Sequence, residues 1–598
     1  MMSLRRRELL ALPAALAGIG TRAAEAPSSK VLRYAFRVAE TGFDPPQLSD
    51  LYSRILTAHI YEALYTYDPL ARPAKIVPLI AEAMPEVSDD FRTWTVRIKP
   101  GIFFADDPAF GGKPRELVAQ DFVYSAQRFA DPANKAQAWV QYEDAGLIGL
   151  NAQRQRAIKD KKPFDYAAPL EGLRALDRYT LQFKAEQPRP RLIQQILAGS
   201  DLYGAVAREV VEFYGDKLGE HPVGTGPFKL KSWRRSSQIV FERNPAYRER
   251  YYESQPAADD AEGQALLTRF KGRRLPMIDQ VEVVIIEEPQ PRWLAFLSGE
   301  QNFVERVPED FISQAMPHGK LAPNLARRGV QAFPTLAPDV LLTLFNLNDP
   351  VVGGLEPAKV ALRRAIGLGL DVPGELQRVR QGQGIVAQSM VQPHTSGYDP
   401  AYKSEMGDYD PARAKALLDL YGYLDRDGDG WREQPDGSPL VLERRTQSDG
   451  QSRQVDEVWE RSMRALGIRL QLTVAQWPQN LKAAQAASYM TWDVAFSASQ
   501  PDSIGSAQLL YGPAAGTFNF PRFANGRYDS IYRQMQSLPD GPERAALFRE
   551  AKRIQATWAP LKSRGHRIIT DMAAAEVIGF RRPLFWQDWW QFVDIVTA

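Results

Sequence analysis

Past residue 30, segments with the periodicity of β-strands alternate with segments that have the signals of helices. Val31–Phe36 and residues 93–98 alternate apolar and polar side chains, as half-buried strands do. Residues 281–286 form a short and nearly continuous apolar run, which is typical of a buried strand. Asp410 followed by Pro411 has the pattern of a helix start. This mixed order predicts an α/β architecture.

The chain has 598 residues, which is more than one hydrophobic core usually holds, so two or more domains are expected. No repeat of fixed period divides it, and no segment is long enough to be a convincing interdomain linker. Residues 105–116, 159–169 and 254–274 are rich in proline, glycine or charge and are predicted to be loops or insertions. The domains are therefore expected to be interwoven by several chain crossings.

The N-terminal residues have the order of an export signal. Arg5, Arg6 and Arg7 precede an apolar run over residues 9–20, and small residues follow at Ala23 and Ala24. The run is too short to span a bilayer. We predict a cleavable signal peptide over residues 1–24 and a periplasmic product. The string RRRELLAL resembles a twin-arginine signal, with an ordinary Sec signal as the alternative.

Charge and cysteine content exclude several classes of function. Removing residues 1–24 takes four arginines and one glutamate from a chain with 74 basic and 72 acidic residues, leaving it near neutral. No basic excess therefore points to nucleic acid as a partner. The sequence contains no cysteine, which excludes disulfides, thiolate metal sites, a thiol nucleophile and a lipidated cysteine.

Enzyme motifs are missing from the sequence. No serine lies in a G-x-S-x-G string, and no glycine-rich loop ends in Gly-Lys-Ser/Thr. Gly224-Thr225-Gly226 is followed directly by Pro227, where a phosphate loop needs backbone N–H donors. The five histidines are too far apart in sequence for a His-pair metal motif. We predict no catalytic residue and no cofactor.

One acidic segment is a weak candidate for an ion site. Asp425, Asp427 and Asp429 precede Gly430 with the spacing of the first half of a calcium loop. The twelfth position is Asp436, where such loops carry a bidentate glutamate. The alternative is a turn in which the carboxylates accept hydrogen bonds from nearby backbone N–H groups, and our prediction remains no metal.

Several longer strings occur in an order that is typical of one family. HPVGTGPF at residues 221–228 is followed by KLKSW and by RNPAY at 243–247. Other matching strings are ETGFDP at 40–45, VAQDFVYSAQRFADP at 118–132, LFNLNDP at 344–350 and YDPARAKALLDLYGY, which ends at 423. Together they resemble the extracellular solute-binding proteins of the oligopeptide, dipeptide and nickel class, called family 5. The resemblance covers about residues 31–560.

The resemblance implies a type II periplasmic-binding fold, with two α/β lobes joined by a hinge and an extra domain. We expect the first lobe at residues 28–75, 220–288 and 562–598, the extra domain at 76–219 and the second lobe at 289–561. It also implies a monomeric, non-enzymatic component of an ABC importer that binds a peptide or other small molecule and delivers it to a membrane permease. The alternatives are a metal chelate, a glutathione-like compound or an oligosaccharide as ligand, or a secreted hydrolase.

The resemblance further implies which residues contact the ligand. The expected second-lobe contacts lie in the loop after the strand near residue 496, because ligands usually sit beyond the carboxyl ends of strands. From all three domains the candidates are Glu40, Thr41, Phe43, Trp139, Tyr142, Trp477, Ser497, Ser499, Gln500 and Asp502.

The loop departs from the family pattern in one respect. Peptide-binding members place an aspartate there to hold the ligand's amino terminus, whereas this loop reads SASQPD at residues 497–502. Asp502 is its one acidic residue and aligns better with a following Pro-Asp pair. We therefore expect a neutral contact from Gln500 instead of an ionised anchor, and a preference for longer or modified peptides.

Overall fold

The computed structural model describes residues 29–48 and 50–597. The predicted signal peptide, residues 1–24, lies outside the described residues. Among the residues that are described, no helix is both long and apolar enough to cross a membrane.

Strands and helices alternate along the described chain, as the sequence pattern predicts. The strands are β1 (Val31–Phe36), β2 (Tyr65–Tyr67), β3 (Ile76–Pro78), β4 (Glu86–Val87), β5 (Thr93–Arg97), β6 (Leu173–Asp177), β7 (Thr180–Lys184), β8 (Phe228–Arg234), β9 (Gln238–Arg243), β10 (Gln280–Ile285), β11 (Phe303–Val304), β12 (Gln331–Leu336), β13 (Asp339–Phe345), β14 (Gly384–Val386), β15 (Val441–Thr446), β16 (Arg469–Val474), β17 (Thr491–Ser497), β18 (Leu561–Ala573), β19 (Val577–Ile578) and β20 (Asp594–Ile595). The helices are α1 (Leu51–Thr57), α2 (Ala119–Ala130), α3 (Trp139–Ala145), α4 (Leu150–Asp160), α5 (Ser200–Tyr203), α6 (Arg208–Tyr214), α7 (Ala261–Phe270), α8 (Pro289–Ser298), α9 (Glu309–Ala315), α10 (Pro323–Arg327), α11 (Pro357–Gly369), α12 (Val372–Gly374), α13 (Pro411–Leu420), α14 (Gly450–Leu466), α15 (Trp477–Gln485), α16 (Ile504–Ala507), α17 (Gly526–Ser537) and α18 (Pro542–Trp558).

The first sheet has the strand order β1-β10-β9-β8. Strand β1 runs parallel to β10, and the other neighbours are antiparallel. The apolar positions of β1 and β10 are buried against the C-terminal aromatic run, where Trp590 is fully buried and stacks on His59 at 3.7 Å between ring centroids. Trp586 and Trp589 of this run, residues 585–590, are buried as well, so three of its four aromatic side chains belong to the core.

A larger sheet has the strand order β11-β18-β13-β17-β15-β16, with β12 and β14 also paired to β18. All seven residues of β13 are buried, as expected for a strand with neighbours on both sides. The 13-residue strand β18 pairs with β13 and β14 along its first half and with β12 and β11 along its second. This arrangement places β17, and the loop that follows it, next to the centre of the sheet.

A third sheet, β4-β5-β7-β6, lies within the segment predicted as the extra domain and packs against α2 and α4 in a separate hydrophobic core. The domain boundaries themselves stay a prediction. A division that follows the sheets would assign β18 to the second lobe, because its partners β11 to β14 all lie within residues 289–561.

The segment 254–274, predicted as a loop or insertion, contains a helix. Helix α7 begins after Asp260, whose carboxylate accepts a hydrogen bond from Gly263 N at 3.0 Å. Arg581 forms an ion pair with the same carboxylate at 2.6 Å. The loop prediction was wrong here because charged residues dominate the segment, while the buried Phe270 is the main apolar contact of the helix.

Candidate ligand-binding cleft

The loop from Ser497 to Asp502 begins at the last residue of β17 and lies at the carboxyl end of that strand. Three neighbouring cavities, with volumes of about 380, 230 and 340 Å³, open onto it. Ser499 lines all three, Ser497 lines two and Gln500 lines two. These cavities, here called the cleft, lie where the resemblance places the ligand.

The polar side chains of this loop are free to bind a ligand. Ser497 and Ser499 are exposed and Gln500 is partly exposed. Within the described part of the chain, none of the three side chains forms a hydrogen bond. Their hydroxyl and amide groups can therefore donate to or accept from a solute in the cleft.

Asp502 differs from its neighbours because its carboxylate is buried and fully paired. It accepts two hydrogen bonds from Arg544 at 2.8 and 2.9 Å, and Arg191 Nε lies 2.8 Å from it. Burial lowers the pKa of Arg191, and the charge of Asp502 opposes that shift. With two guanidinium groups beside it, this carboxylate has no free face for a ligand ammonium group.

Arg191 also connects two parts of the molecule that face each other across the cleft. It belongs to the segment predicted as the extra domain, and its Nη2 donates to the carbonyl of Met535 at 3.0 Å. Its Nη1 donates to the carbonyl of Leu538 at 2.6 Å. These contacts hold one wall of the cleft to the end of α17.

Helix α3 turns a different face to the cleft than the sequence analysis proposed. Trp139 and Tyr142, three residues apart, are buried, with Tyr142 packed on Phe129 at 5.1 Å. Val140 and Gln141 line the cleft instead. The i, i+3 spacing of the two aromatic residues was the signal that they share the core face of a helix.

Glu40, Thr41 and Phe43, the candidates from the predicted first lobe, do not line the three cavities of the cleft. Each side chain contacts other residues of the protein instead. Glu40 is buried and accepts hydrogen bonds from Trp233 Nε1 and from Ser236 N. Thr41 donates its hydroxyl to Asp50 at 2.6 Å. Phe43 is fully buried and meets the Trp233 ring edge-on at 5.0 Å.

Trp477 begins α15 and is 43% exposed, with its ring tilted against Trp492 at 5.1 Å. It does not line any of the three cavities. Its exposed face could reach a ligand only outside them, so its role stays a prediction.

The cleft has further lining residues that sequence reasoning missed. From α1, Arg54 reaches it and pairs with Asp201 at 2.6 Å. From the C-terminal region, Arg582 pairs with the buried Asp571 at 2.6 Å. No local motif identifies these arginines, because each becomes part of the cleft only through long-range packing.

Asp425, Asp427 and Asp429 lie together in an exposed loop between α13 and β15. One carboxylate oxygen from each falls within 4.8 Å of the others, which is compatible with a shared cation. The same oxygens accept backbone hydrogen bonds, including Gly428 N to Asp425 at 2.8 Å, and Asp429 pairs with Arg469. The loop does not line the cleft, and the prediction of no metal stays untested.

A cleft between two sheet-centred lobes, with a polar loop at a strand's carboxyl end, defines a solute-binding protein of the type II periplasmic-binding fold. The sequence model of the bacterial extracellular solute-binding proteins, family 5 (middle), matches residues 75–518. The chain belongs to this family.

Known proteins of similar sequence and structure agree in fold. The di/tripeptide-binding protein 2 of Pseudomonas aeruginosa is 26% identical over 591 residues, covering 97% of each chain. HbpA2 from Haemophilus parasuis superposes with a TM-score of 0.72 at 17% identity, covering 95% of this chain and all of that one. The periplasmic binding protein DppA from Helicobacter pylori, solved with the peptide STSA, has a TM-score of 0.67 at 19% identity, covering 94% and 98%.

Proposed function

We propose that this protein is the substrate-binding component of an ABC importer, and that it binds a peptide or peptide-like solute in the cleft. The observation that carries the proposal is the loop 497–500, whose unpaired polar side chains face three joined cavities. A peptide presents many backbone donors and acceptors, which such groups and bound water can satisfy. The named relatives, a di/tripeptide-binding protein and a protein solved with a peptide, support this ligand class.

The role we propose is transport and not catalysis. The protein is exported by its N-terminal signal, captures the solute in the periplasm as a monomer and delivers it to a permease in the inner membrane. Family membership supports this role. A glutathione-like compound, a metal chelate or an oligosaccharide is the alternative ligand within the same role.

The loop favours solutes that are recognised without a free amino terminus. Its one carboxylate, Asp502, is occupied by Arg191 and Arg544. Gln500 remains to supply a neutral hydrogen bond, worth on the order of 1 kcal/mol. An ionised anchor would contribute more, roughly 1.5–3 kcal/mol.

Calorimetric titration with a tripeptide and with its N-acetylated form tests the proposal. Gln500→Ala should weaken binding by about tenfold or less, and acetylation should cost little. Gln155→Ala, an exposed glutamine on α4 outside the cleft, is the matched control and should bind like the parent. Strong discrimination against the acetylated peptide would show that a carboxylate anchors the ligand after all.

A further inference from the structure

A fourth cavity, larger than those of the cleft, lies beside it. Its volume is about 670 Å³. It is bounded by the residue after β1, the start of α8, residues 306–313, the N-terminal turns of α14 and the middle of β18. Arg306, Arg567 and Ile569 line both this cavity and the cleft, so the two spaces are adjacent.

Arginine is the most frequent charged residue among those that line this cavity. The five lining arginines are Arg37, Arg292, Arg306, Arg380 and Arg567. Two are neutralised by carboxylates, because Arg380 pairs with Glu375 at 3.3 Å and Arg567 with Asp339 at 2.6 Å. Within residues 29–48 and 50–597, Arg37 and Arg292 form no ion pair with a carboxylate, and Arg306 has only a long one, with Glu305 at 3.7 Å.

Arg292 is the most unusual of the three because it is only 7% exposed. Its Nη1 donates to the carbonyls of Ile286 at 2.7 Å and Glu287 at 3.0 Å, and no carboxylate lies at ion-pair distance in the described chain. Buried charges in proteins are normally paired. The buried Arg128 follows that rule here, with both ends of its guanidinium on Asp44 at 2.7 and 2.9 Å.

Arg306 and Arg37 complete the set of three. Arg306 has a left-handed backbone, with φ of 55°. Its buried Nε has no hydrogen-bond partner among the described residues, and the nearest carboxylate, that of Glu305, lies 3.7 Å away in a long ion pair. Arg37 donates to the hydroxyl of Tyr52 at 3.0 Å. Burial lowers the pKa of both Arg292 and Arg306, and the nearby charge of Arg37 lowers each of them further, whereas the carboxylate of Glu305 opposes the shift in both.

Two acidic residues, Glu309 and Asp310, also line the cavity. They form the first turn of α9, where carboxylates stabilise a helix N-terminus. Glu309 accepts a hydrogen bond from Gln451, and neither carboxylate is hydrogen-bonded to one of the three arginines in the described chain. The three guanidinium groups therefore retain donors for another anion.

We propose that this cavity binds an anionic group, a carboxylate or phosphate, through Arg37, Arg292 and Arg306. The planar guanidinium fork matches both groups, and an anion would offset the mutual repulsion of the three charges. Because the cavity adjoins the cleft, a solute held there can place an acidic substituent among the arginines. This form of the inference rests on the proposed function, whereas binding of a free anion does not.

Two binding measurements on the parent protein test the proposal and identify the source of the anion. The first compares Ala-Glu-Ala with Ala-Gln-Ala by calorimetry, because the two peptides differ only in one charge. A preference for the glutamate peptide of about tenfold or more means that the anion belongs to the solute. The second follows the melting temperature during titration with inorganic phosphate, and a rise that saturates means that the cavity takes a free anion.

Charge-removing variants show whether the arginines are responsible. Arg292→Gln and Arg37→Gln should each abolish most of the observed effect, whereas Arg327→Gln, an exposed arginine on α10, should leave it intact. Circular dichroism melts confirm that each variant is folded. Equal affinity for the two peptides together with no response to phosphate would overturn the proposal, while binding of Ala-Gln-Ala would still uphold the proposed function.

Discussion

At the residue scale, Asp502 shows how the surroundings of a side chain decide its function. A carboxylate in a ligand-facing loop would attract an ammonium group, yet this one is buried between Arg191 and Arg544. It also accepts the backbone N–H of Ile504 at 2.9 Å, at the start of α16. Its role is therefore to fix the loop, and under the proposed function Ser497, Ser499 and Gln500 are left to contact the ligand.

Removing that carboxylate should destabilise the protein. Asp502→Ala leaves Arg191 without its carboxylate partner and leaves Arg544 paired with Asp540 alone. Breaking a buried ion pair on one side costs about 3–5 kcal/mol. Glu550→Ala, which breaks the exposed pair with Arg527, is the control and should cost about 1 kcal/mol or less. Urea unfolding measures both, and equal losses would mean that Asp502 is not the structural centre of the loop.

Asp588 provides a prediction about pH. Burial raises the pKa of its carboxyl group to about 6, and the charge of Arg250 and a hydrogen bond from Thr66 oppose this shift without cancelling it. The unfolded chain has the ordinary value near 3.9, so the folded state holds one more proton between about pH 4 and 6. Stability contributed by this group therefore falls as pH rises through that window, and the full cost, about 3 kcal/mol, applies above pH 6.

Asp588→Asn should remove this cost, because the amide is neutral at every pH and its oxygen can still accept the hydrogen bond from Thr66. The melting temperature of the variant should exceed that of the parent at pH 7 and approach it near pH 4. Measuring both proteins across this range isolates the one group. A variant that melts lower than the parent at pH 7 would show that Asp588 is ionised and stabilised in the fold.

At the scale of elements, local sequence patterns predicted some of the strands and helix starts. Alternating residues indicated β1 and β5, and the apolar run at 281–286 indicated β10. Asp410 with Pro411 marked α13, whose first turn Asp410 caps at 2.9 Å from Arg413 N. Helix α7 was missed because its segment is rich in charged residues. The four partners of β18 could not be predicted, because pairing depends on contacts between residues far apart in sequence.

The same distinction applies to the candidate site. The loop at 497–500 was located through the resemblance to family 5, as the segment that follows the strand near residue 496. Arg54, Arg191 and Arg582 could not, since each reaches the cleft only when distant segments meet. Trp139 and Tyr142 on α3 show the opposite error. They were expected to contact the ligand, but both side chains are buried in the core.

The acidic loop between α13 and β15 gives a prediction at this scale. Replacing Asp427 and Asp429 together by Asn should leave ligand affinity nearly unchanged, because the loop lies outside the cleft. Stability should fall by about 1 kcal/mol or less, since the pair between Asp429 and Arg469 is exposed. A large loss of affinity, or a melting temperature of the parent that depends on calcium, would contradict this interpretation.

At the scale of the whole molecule, the resemblance to family 5 predicted the fold and the local patterns alone did not. The patterns establish an α/β chain, whereas the ordered motifs over residues 31–560 imply two lobes and an extra domain. The cleft and the arginine-lined cavity beside it form between elements from different parts of the chain. Their shape follows from how the lobes meet, which no local pattern encodes.

The central claim is that this protein binds a peptide in the cleft and releases it unchanged. Calorimetric titration of the purified mature chain with a set of tripeptides, followed by mass spectrometry of the recovered ligand, tests it most directly. We predict saturable binding of one peptide per chain, a higher melting temperature in its presence and recovery of the intact peptide. Cleavage of the peptide, or binding of a sugar or metal chelate when no peptide binds, would contradict the account.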